Sequence, residues 1–299
     1  MSLLLGIDCG GTNTKLLLAE LQDGMPQAVR QQVLPTPRDG AAIGAVGEQV
    51  QSFLAGDVPD AFGVAVPGIL DRRGVVLRST NLPWFEGSAP AADLGSLLGL
   101  PGAAANDGTS AARAEVALGA GRGEQDVFIL ALGTGVAGAH VIGGEIRHGA
   151  HGGAGEIGHI GDFGDRLCSC GQRGCLETRI GGTQLARRWR EVLEKPPARP
   201  VSARDLVDAA RLGDPRAREI LDQATSALAT SLLGLVALVD PGMIVIGGGL
   251  SRAEDLLVVP TVAKLRERAT FHQLPPIVPT ALGMWGAAWG AVLEAEAAV

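Results

Sequence analysis

The chain has 299 residues, of which 46% are hydrophobic and 3% aromatic, and its formal net charge is −7 at pH 7. This length predicts two domains, and the scarcity of aromatic residues predicts cores built from aliphatic residues and alanine. The negative charge argues against binding to nucleic acid or to anionic membranes, because phosphate groups attract clustered Lys and Arg. We therefore expect neither partner.

The cellular location is predicted from the apolar runs and the cysteines. The apolar run at the N-terminus is too short for a secretory signal, and the run at 228–239 is too short to span a bilayer. Three of the four cysteines lie in one loop, which does not suit a disulfide framework. A cytoplasmic protein is expected.

A strand–turn–strand unit opens the chain. Residues 3–7 and 16–19 are apolar runs that predict two strands, and Gly10 and Gly11 lie in the turn between them. Adjacent glycines at the tip of a hairpin can present backbone N–H groups to an anion such as phosphate. Asp8 ends the first strand, where it could hold Mg²⁺ directly or through water. An ordinary Gly–Gly hairpin is the alternative.

The same pattern returns at residues 127–142, with Gly133-Thr134-Gly135 in the turn. Two such hairpins facing one another could clamp a triphosphate. The second hairpin also matches G-x-G-x-x-G, but the dinucleotide-binding motif requires a helix after the glycines, and β-type sequence follows here. No G-x-x-x-x-G-K-[ST] motif occurs, so a P-loop is not supported.

Polar residues near the ends of predicted strands are candidates for chemistry. A strand at 61–66 stops at Pro67-Gly68, and Asn81 lies in a turn-rich loop where its amide could bind a polyol or serve only the turn. Asp107 follows an extended run and precedes a predicted helix at 111–117. Catalytic carboxylates commonly project from such positions, although a helix N-cap is an equal alternative.

The densest cluster of metal-binding residue types lies at residues 155–177. His159, Cys168, Cys170 and Cys175 have the spacing H-x8-C-x-C-x4-C, the donor set of a closed tetrahedral Zn²⁺ site. Four protein ligands leave no open position, so the predicted zinc is structural. Its expected task is to fix Glu156, His159 and Glu177 relative to one another; the alternative is three free cysteines in a flexible loop.

The C-terminal third predicts helices at 182–194, from 203 onward and from 215 to 239, the second of them opened by a capping box at Ser202 and Asp205. A strand at 243–246 then breaks into Gly247-Gly248-Gly249, where adenine or ribose could approach the backbone closely. An ordinary strand-to-helix turn is the alternative. A helix of small residues ends the chain.

In order and spacing, these motifs resemble the ROK sugar kinases of the actin/hexokinase-like ATPase superfamily over nearly the whole chain. The matching motifs are Gly6-Ile7-Asp8-x-Gly10-Gly11-Thr12-x-x-Lys15, Asn81-Leu82-Pro83-Trp84, Asn106-Asp107, Leu132-Gly133-Thr134-Gly135, Gly155-Glu156-Ile157-Gly158-His159, Cys168-x-Cys170-Gly171-x-x-Gly174-Cys175-Leu176-Glu177 and Gly247-Gly248-Gly249. Two departures stand out: Gly108 replaces the more usual alanine, and Trp84-Phe85 replaces glycine-tryptophan at the edge of the sugar pocket.

The resemblance implies an α/β fold of two ribonuclease H-like (actin-like ATPase) domains with an interdomain active-site cleft and a zinc-binding loop. The implied first domain comprises residues 1–105 and the C-terminal helix 284–299, with the first phosphate loop. The second domain, 106–283, contains the second phosphate loop, the zinc loop (residues 155–177) and a dimer surface. A homodimer is implied.

The resemblance also assigns residue roles, with Asp107 as the catalytic base. The implied sugar ligands are Gly68, Asn81, Asn106, Asp107, Glu156, His159 and Glu177. The implied contacts to ATP and Mg²⁺ are Asp8, Gly10, Gly11, Thr12, Lys15, Gly133, Thr134, Gly135, Gly247, Gly248 and Gly249. His159 serves both zinc and sugar, which an imidazole can do through its two nitrogens.

The implied reaction is transfer of the γ-phosphoryl group of ATP to a hexose hydroxyl, most often O6 of glucose. N-acetylmannosamine, fructose, allose and N-acetylglucosamine are alternative acceptors. The family also includes sugar-sensing repressors, but a phosphate hairpin that starts at residue 6 leaves no room for their DNA-binding helices. A non-catalytic sugar-binding protein is a further alternative.

Overall fold

The computed structural model describes residues 2–38, 42–79 and 81–298. Its strands are β1 (Leu3–Cys9), β2 (Asn13–Gln22), β3 (Met25–Pro35), β4 (Ala61–Val66), β5 (Ile69–Leu70), β6 (Val76–Arg78), β7 (Gly102–Asn106), β8 (Asp126–Leu132), β9 (Val136–Ile142), β10 (Glu145–Ile146), β11 (Met243–Gly247) and β12 (Ile277–Pro279). Its α-helices are α1 (Ala42–Leu54), α2 (Pro90–Leu98), α3 (Asp107–Leu118), α4 (Glu177–Ile180), α5 (Gly182–Val192), α6 (Ala203–Arg211), α7 (Pro215–Val239), α8 (Val258–Arg268) and α9 (Gly286–Glu296).

The chain divides into two compact units. Unit 1 comprises Met1–Gly123, Gly144–Ala154 and Ala281–Val299, and unit 2 comprises Glu124–Gly143 and Gly155–Thr280. The predicted division differs from these units, because it placed α3 and the segment 144–154 in the second domain. The outer limits of the predicted first domain, residues 1 and 299, lie outside the described residues.

Unit 1 is built on a mixed sheet with the strand order β3-β2-β1-β4-β7. Strands β1, β2 and β3 pair antiparallel, whereas β4 pairs parallel with both β1 and β7. Apolar side chains on alternate positions of β1 and β4, such as Leu5, Ile7 and Val64, pack with α1 and α2 in one core. The alternation follows from the two-residue period of a strand.

Helix α9 lies directly on the other face of that sheet, which glycines make possible. A Cβ on Gly6 would lie 2.2 Å from the Ala288 carbonyl oxygen, and one on Gly63 would lie 1.9 Å from that of Ala291. On the helix itself, a Cβ on Gly290 would lie 1.9 Å from the Ser110 oxygen in α3. The small residues of the predicted last helix therefore serve close packing, and they hold α3 in unit 1.

Unit 2 repeats this topology around its own sheet. Strand β8 pairs antiparallel with β9 and parallel with β11, which pairs parallel with β12. Helices α4 to α8 cover the sheet with an aliphatic core that contains Trp189 as a large aromatic member. Each unit thus joins an antiparallel hairpin to two further parallel strands, which confirms the predicted α/β class.

Helix α7 is long and apolar enough to cross a membrane by length and composition, the only such case among the described residues. However, 61% of its apolar window is buried inside the protein. Core helices meet the same criterion, so this is weak evidence for a membrane span.

Most predicted elements are present, with changes at their ends. The capping box of Ser202 and Asp205 opens α6, and Asp214 caps α7 through the N–H groups of Arg216 and Ala217. Helix α3 begins at Asp107, earlier than the predicted 111. Strand β3 and helices α2 and α8 were not predicted, because polar residues or an internal proline obscure their periodicity.

Candidate active site

Asp107 is the first residue of α3 and directly follows the parallel strand β7. The N-cap position is taken by Asn106, whose side-chain oxygen accepts from the Thr109 N–H at 3.0 Å. The alternative prediction, that Asp107 is the cap, is therefore wrong. One oxygen of the Asp107 carboxylate accepts from the Gly108 N–H at 2.9 Å. The helix N-terminus favours a negative charge at this position.

Asn106 also binds the backbone of Gly68, another predicted sugar ligand. Its amide nitrogen donates to the Gly68 carbonyl at 2.9 Å, so both ends of the amide are engaged within unit 1. Gly68 has φ of +122°, and a Cβ there would lie 2.2 Å from the Arg78 oxygen, so no other residue fits. Asn81 is exposed nearby in sequence. Asn106 thereby braces the Gly68 turn as well as the start of α3.

In the first hairpin, the Lys15 ammonium group donates to Asp8 at 2.5 Å across the β1–β2 pair. Asp8 is 3% exposed, and burial of its charge is possible because Lys15 neutralises it. At the tip, the Gly10 N–H donates to the Asn13 carbonyl at 3.1 Å. The N–H of Gly10 thus closes the turn.

The second hairpin closes in the same way, since the Gly133 N–H donates to the Gly135 carbonyl at 3.0 Å. Its outer side meets the start of α5. The Gly182 N–H donates to the Gly133 carbonyl at 2.9 Å, and the Thr183 N–H donates to the Thr134 carbonyl at 3.1 Å. The carbonyls of this turn are therefore held by the first backbone N–H groups of helix α5.

The three glycines after β11 lie beside the end of β8. Gly248 has φ of +89°, and a Cβ there would lie 2.3 Å from the Leu132 carbonyl oxygen. Gly249 begins a short 3₁₀ helix, Gly249–Arg252. Close packing against the strand that leads into the second hairpin therefore explains Gly248 without a ligand.

The four predicted zinc ligands converge. The donor atoms of His159, Cys168, Cys170 and Cys175 all lie within 4.8 Å of one another. The Cys170 and Cys175 sulfurs are 3.6 Å apart, and His159 Nδ1 is 3.7 Å from the Cys168 sulfur. Four ligands at about 2.3 Å from a tetrahedral ion would be about 3.8 Å apart, so the donor set fits zinc.

The surroundings of the thiols also fit a metal. Burial raises the pKa of the Cys175 thiol to about 12, and burial likewise raises the pKa of Cys168. A divalent cation is therefore what would hold these groups as thiolates at neutral pH. Because Nδ1 of His159 faces the sulfurs, Nε2 is the nitrogen left for a second partner.

Glu177 joins the zinc loop to the second hairpin. Its carboxylate accepts from the Val136 N–H at 2.9 Å and from the Ser169 hydroxyl at 3.4 Å. The side chain is buried, and Val136 is the first residue after the hairpin turn. Burial raises the pKa of Glu156; His159 lowers it and Glu177 raises it further. The other two predicted sugar ligands of unit 2 thus act electrostatically on Glu156.

Sequence reasoning missed Arg179, which fastens the zinc loop. Its Nε donates to the Phe163 carbonyl, and its guanidinium shares the Gln223 side-chain oxygen with Arg188 at 3.4 and 2.5 Å. Burial lowers the pKa of Arg188 to about 10. These partners come from α4, α5 and α7, so no local motif could have revealed them.

The family comparison extends this picture to the whole chain. The model of the ROK family matches residues 4–297. The chain belongs to the ROK family. A glucokinase from Thermotoga maritima is 31% identical over 93% of this chain and 90% of its own length. An N-acetylgalactosamine kinase from a Shewanella species is 32% identical, over 84% of this chain and 83% of its own.

Solved structures agree. The ROK family glucokinase of Streptomyces griseus, in complex with glucose and AMPPNP, superposes with a TM-score of 0.87 at 27% identity, covering 99% of this chain and all 100% of that one. The ROK hexokinase of Thermus thermophilus gives a TM-score of 0.77 at 32% identity, covering 99% and 98%. The resemblance drawn from the motifs is confirmed, and this ROK protein is a sugar kinase.

Proposed function

We propose that this ROK protein is an ATP-dependent hexose kinase that transfers the γ-phosphoryl group of ATP to O6 of glucose, with Asp107 as general base. The observation that carries the proposal is the position of Asp107 at the start of α3, where Asn106 rather than Asp107 caps the helix. The glucokinases among its relatives support glucose as the acceptor.

Catalysis of phosphoryl transfer depends mainly on positioning the two substrates and on neutralising the charge of the phosphates. Asp107 would accept the proton of the attacking hydroxyl. Since the N–H groups of Gly10 and Gly133 close their own turns, the proposed phosphate donors narrow to Gly11 and Thr12 in the first hairpin, and Thr134 and Gly135 in the second. Gly247 and Gly249 remain the proposed contacts to the nucleotide.

Asp8 is the proposed partner of Mg²⁺, which neutralises phosphate charge when bound with ATP. One of its oxygens is engaged by Lys15, so the other would hold the ion, directly or through water. Lys15 is then better assigned to the neutralisation of Asp8 than to a phosphate contact of its own.

On the sugar side, Glu156 and Glu177 would accept hydrogen bonds from ring hydroxyls, and His159 would donate or accept through Nε2. Asn81 and Gly68 are further proposed contacts to the sugar. We also retain Asn106 in this set, although its amide already serves Gly68 and Thr109. Buried polar partners of this kind reject sugars that lack the matching hydroxyl. The zinc, the cytoplasmic location, the homodimer and the cleft between two domains remain predictions.

The substrate is tested by a coupled ADP-release assay over a hexose panel with ATP, GTP and polyphosphate as donors. Glucose should give the highest kcat/KM. N-acetylhexosamine kinases also occur among the relatives, so preference for an N-acetylhexosamine would replace glucose as the acceptor. N-acetylmannosamine and fructose complete the panel. Sugar binding without turnover would favour a non-catalytic sugar sensor.

The base is tested by Asp107→Asn. This change should lower kcat by about 10²- to 10⁴-fold, the usual contribution of a general base, while calorimetry finds glucose affinity within a few-fold of the wild-type value. A variant that keeps most of its turnover would remove Asp107 from this role.

A further inference from the structure

Thr36 lies just after β3 and contacts the tip of the first hairpin. Its hydroxyl donates to the Gly10 carbonyl at 2.7 Å, and its own N–H donates to the Thr12 carbonyl at 3.1 Å. The residue is 4% exposed. One buried side chain and its backbone thus hold both sides of the glycine turn.

The hydroxyl groups around this turn form a directed chain. Thr36 has a single hydroxyl proton, and that proton goes to the Gly10 carbonyl. The 3.1 Å contact between the Thr14 and Thr36 hydroxyls must therefore run from Thr14 as donor to Thr36 as acceptor. Thr14 is fully buried, so neither hydroxyl can exchange its partner for bulk water.

The backbone at Thr36 is restricted on both sides. Pro35 and Pro37 have fixed φ angles, and a residue that precedes proline is confined to extended conformations. Pro35 also pairs with Asn13 at the end of the β2–β3 ladder. Thr36 is thereby presented to the turn by a segment with little freedom of its own.

We propose that Thr36 is a positioning residue that fixes the carbonyls of Gly10 and Thr12, and so orients the adjoining N–H groups toward the phosphates of the nucleotide. The inference rests on the proposed role of this hairpin in nucleotide binding. Thr36 itself touches no substrate. Fixed donors bind an anion without reorganisation, so loss of this brace should act on the nucleotide and spare the sugar.

The test compares two variants of this residue. Thr36→Val keeps the shape but removes the hydroxyl, which leaves the buried Gly10 carbonyl and the Thr14 hydroxyl without their partner. We expect KM for ATP to rise about tenfold with KM for the sugar unchanged. Thr36→Ser keeps the hydroxyl and should restore the wild-type KM for ATP.

Two further threonines serve as matched controls. Thr14→Val interrupts the chain but leaves the bond from Thr36 to Gly10, so its effect on KM for ATP should be smaller. Thr261 in α8 is buried, and its hydroxyl has no hydrogen-bond partner within the described part of the chain. Thr261→Val should therefore leave both KM values at wild-type level.

A Thr36→Val protein with wild-type KM for ATP overturns the proposal, as does one in which both KM values rise equally or only Tm falls. Calorimetric titration with ADP repeats the comparison without turnover. If the wild-type protein binds ADP but phosphorylates no sugar, the proposed function fails, and the ADP affinity of Thr36→Val still decides the role of Thr36.

Discussion

The two glycine hairpins share one design but are held in different ways. In each, the N–H of the first glycine closes the turn, at Gly10 and at Gly133. The first is braced by side chains from neighbouring strands of its own sheet, through Thr36 and through the ion pair of Asp8 and Lys15. The second is braced by the backbone at the start of α5 and by the carboxylate of Glu177, at the end of the zinc loop.

This difference predicts which neighbouring segments influence the conformation of each hairpin. The braces of the first lie within or directly after one three-stranded antiparallel ladder. The second depends on Gly182 and on Glu177, which also contacts Ser169, a residue between two of the predicted zinc ligands. We therefore expect the zinc loop to influence the second hairpin and to leave the first unaffected.

Loss of the metal should have the largest effect. Chelation, or Cys170→Ser, should lower Tm by roughly 10 °C, because closing a loop of this length contributes ~3 kcal/mol and each kcal/mol is worth roughly 2–4 °C. Sugar affinity should weaken with it, since Glu156 and His159 lose their support. KM for ATP should also rise through Glu177 and Val136.

Metal analysis of carefully prepared protein provides the direct check on this prediction. If it finds no zinc, the structural metal site is wrong. If zinc is present but its removal changes neither the KM for ATP nor the KM for the sugar, the predicted coupling of the zinc loop to the second hairpin is wrong.

Added methyl groups at the first hairpin and at the start of α5, which contacts the second hairpin, should have intermediate and similar effects. A Cβ on Gly10 would lie 2.9 Å from the Asn13 oxygen, and one on Gly182 would lie 2.7 Å from the Gly133 oxygen. Gly10→Ala and Gly182→Ala should each cost about 1–3 kcal/mol in the free energy of unfolding and raise KM for ATP.

The control for this pair is Gly44→Ala in α1, where an added Cβ meets no atom within 4 Å. It should stabilise the protein by about 0.5–1 kcal/mol, as Ala for Gly does in a helix, without a change in KM. If Gly182→Ala leaves KM for ATP unchanged while Gly10→Ala raises it, the hairpins do not share a phosphate-binding role.

The smallest effect is expected at the capping box of α6, which contacts neither hairpin turn. Arg199 and Ser202 lower the pKa of Asp205 through hydrogen bonds to its carboxylate. A lowered folded-state pKa means that the ionised carboxylate stabilises the fold above its ordinary value of 3.8 and loses this effect as pH falls below it. Asp205→Asn should cost about 1 kcal/mol at pH 7 in urea unfolding, with kcat and both KM values unchanged.

Titrations at decreasing pH check the origin of this effect. The difference between Asp205→Asn and the wild type should be constant from pH 8 down to about 5 and shrink below 3.8. A difference that persists unchanged at low pH would assign the effect to packing rather than charge.

Local sequence patterns were sufficient to predict the convergence of the four candidate zinc ligands and much of the secondary structure. Cys168, Cys170 and Cys175 lie within eight residues, so their convergence follows from a short chain segment, and His159 lies only nine positions before Cys168. Short apolar runs located β1, β4 and β8, because each strand is one continuous segment of the chain. Strand β3 was missed because most of it is exposed and its sequence mixes Gln and Arg with apolar residues.

The family, the convergence of His159 with three cysteines and the position of Asp107 at a strand end could all be predicted from the sequence, because each rests on short motifs whose residues lie close together in the chain. The tertiary structure alone decided what those residues contact. Asn106 donates to the Gly68 carbonyl thirty-eight positions earlier, Lys15 donates to Asp8, and Glu177 accepts from the Val136 N–H forty-one positions earlier in the chain. Such contacts depend on which segments of the chain become neighbours in the fold, which no local pattern specifies.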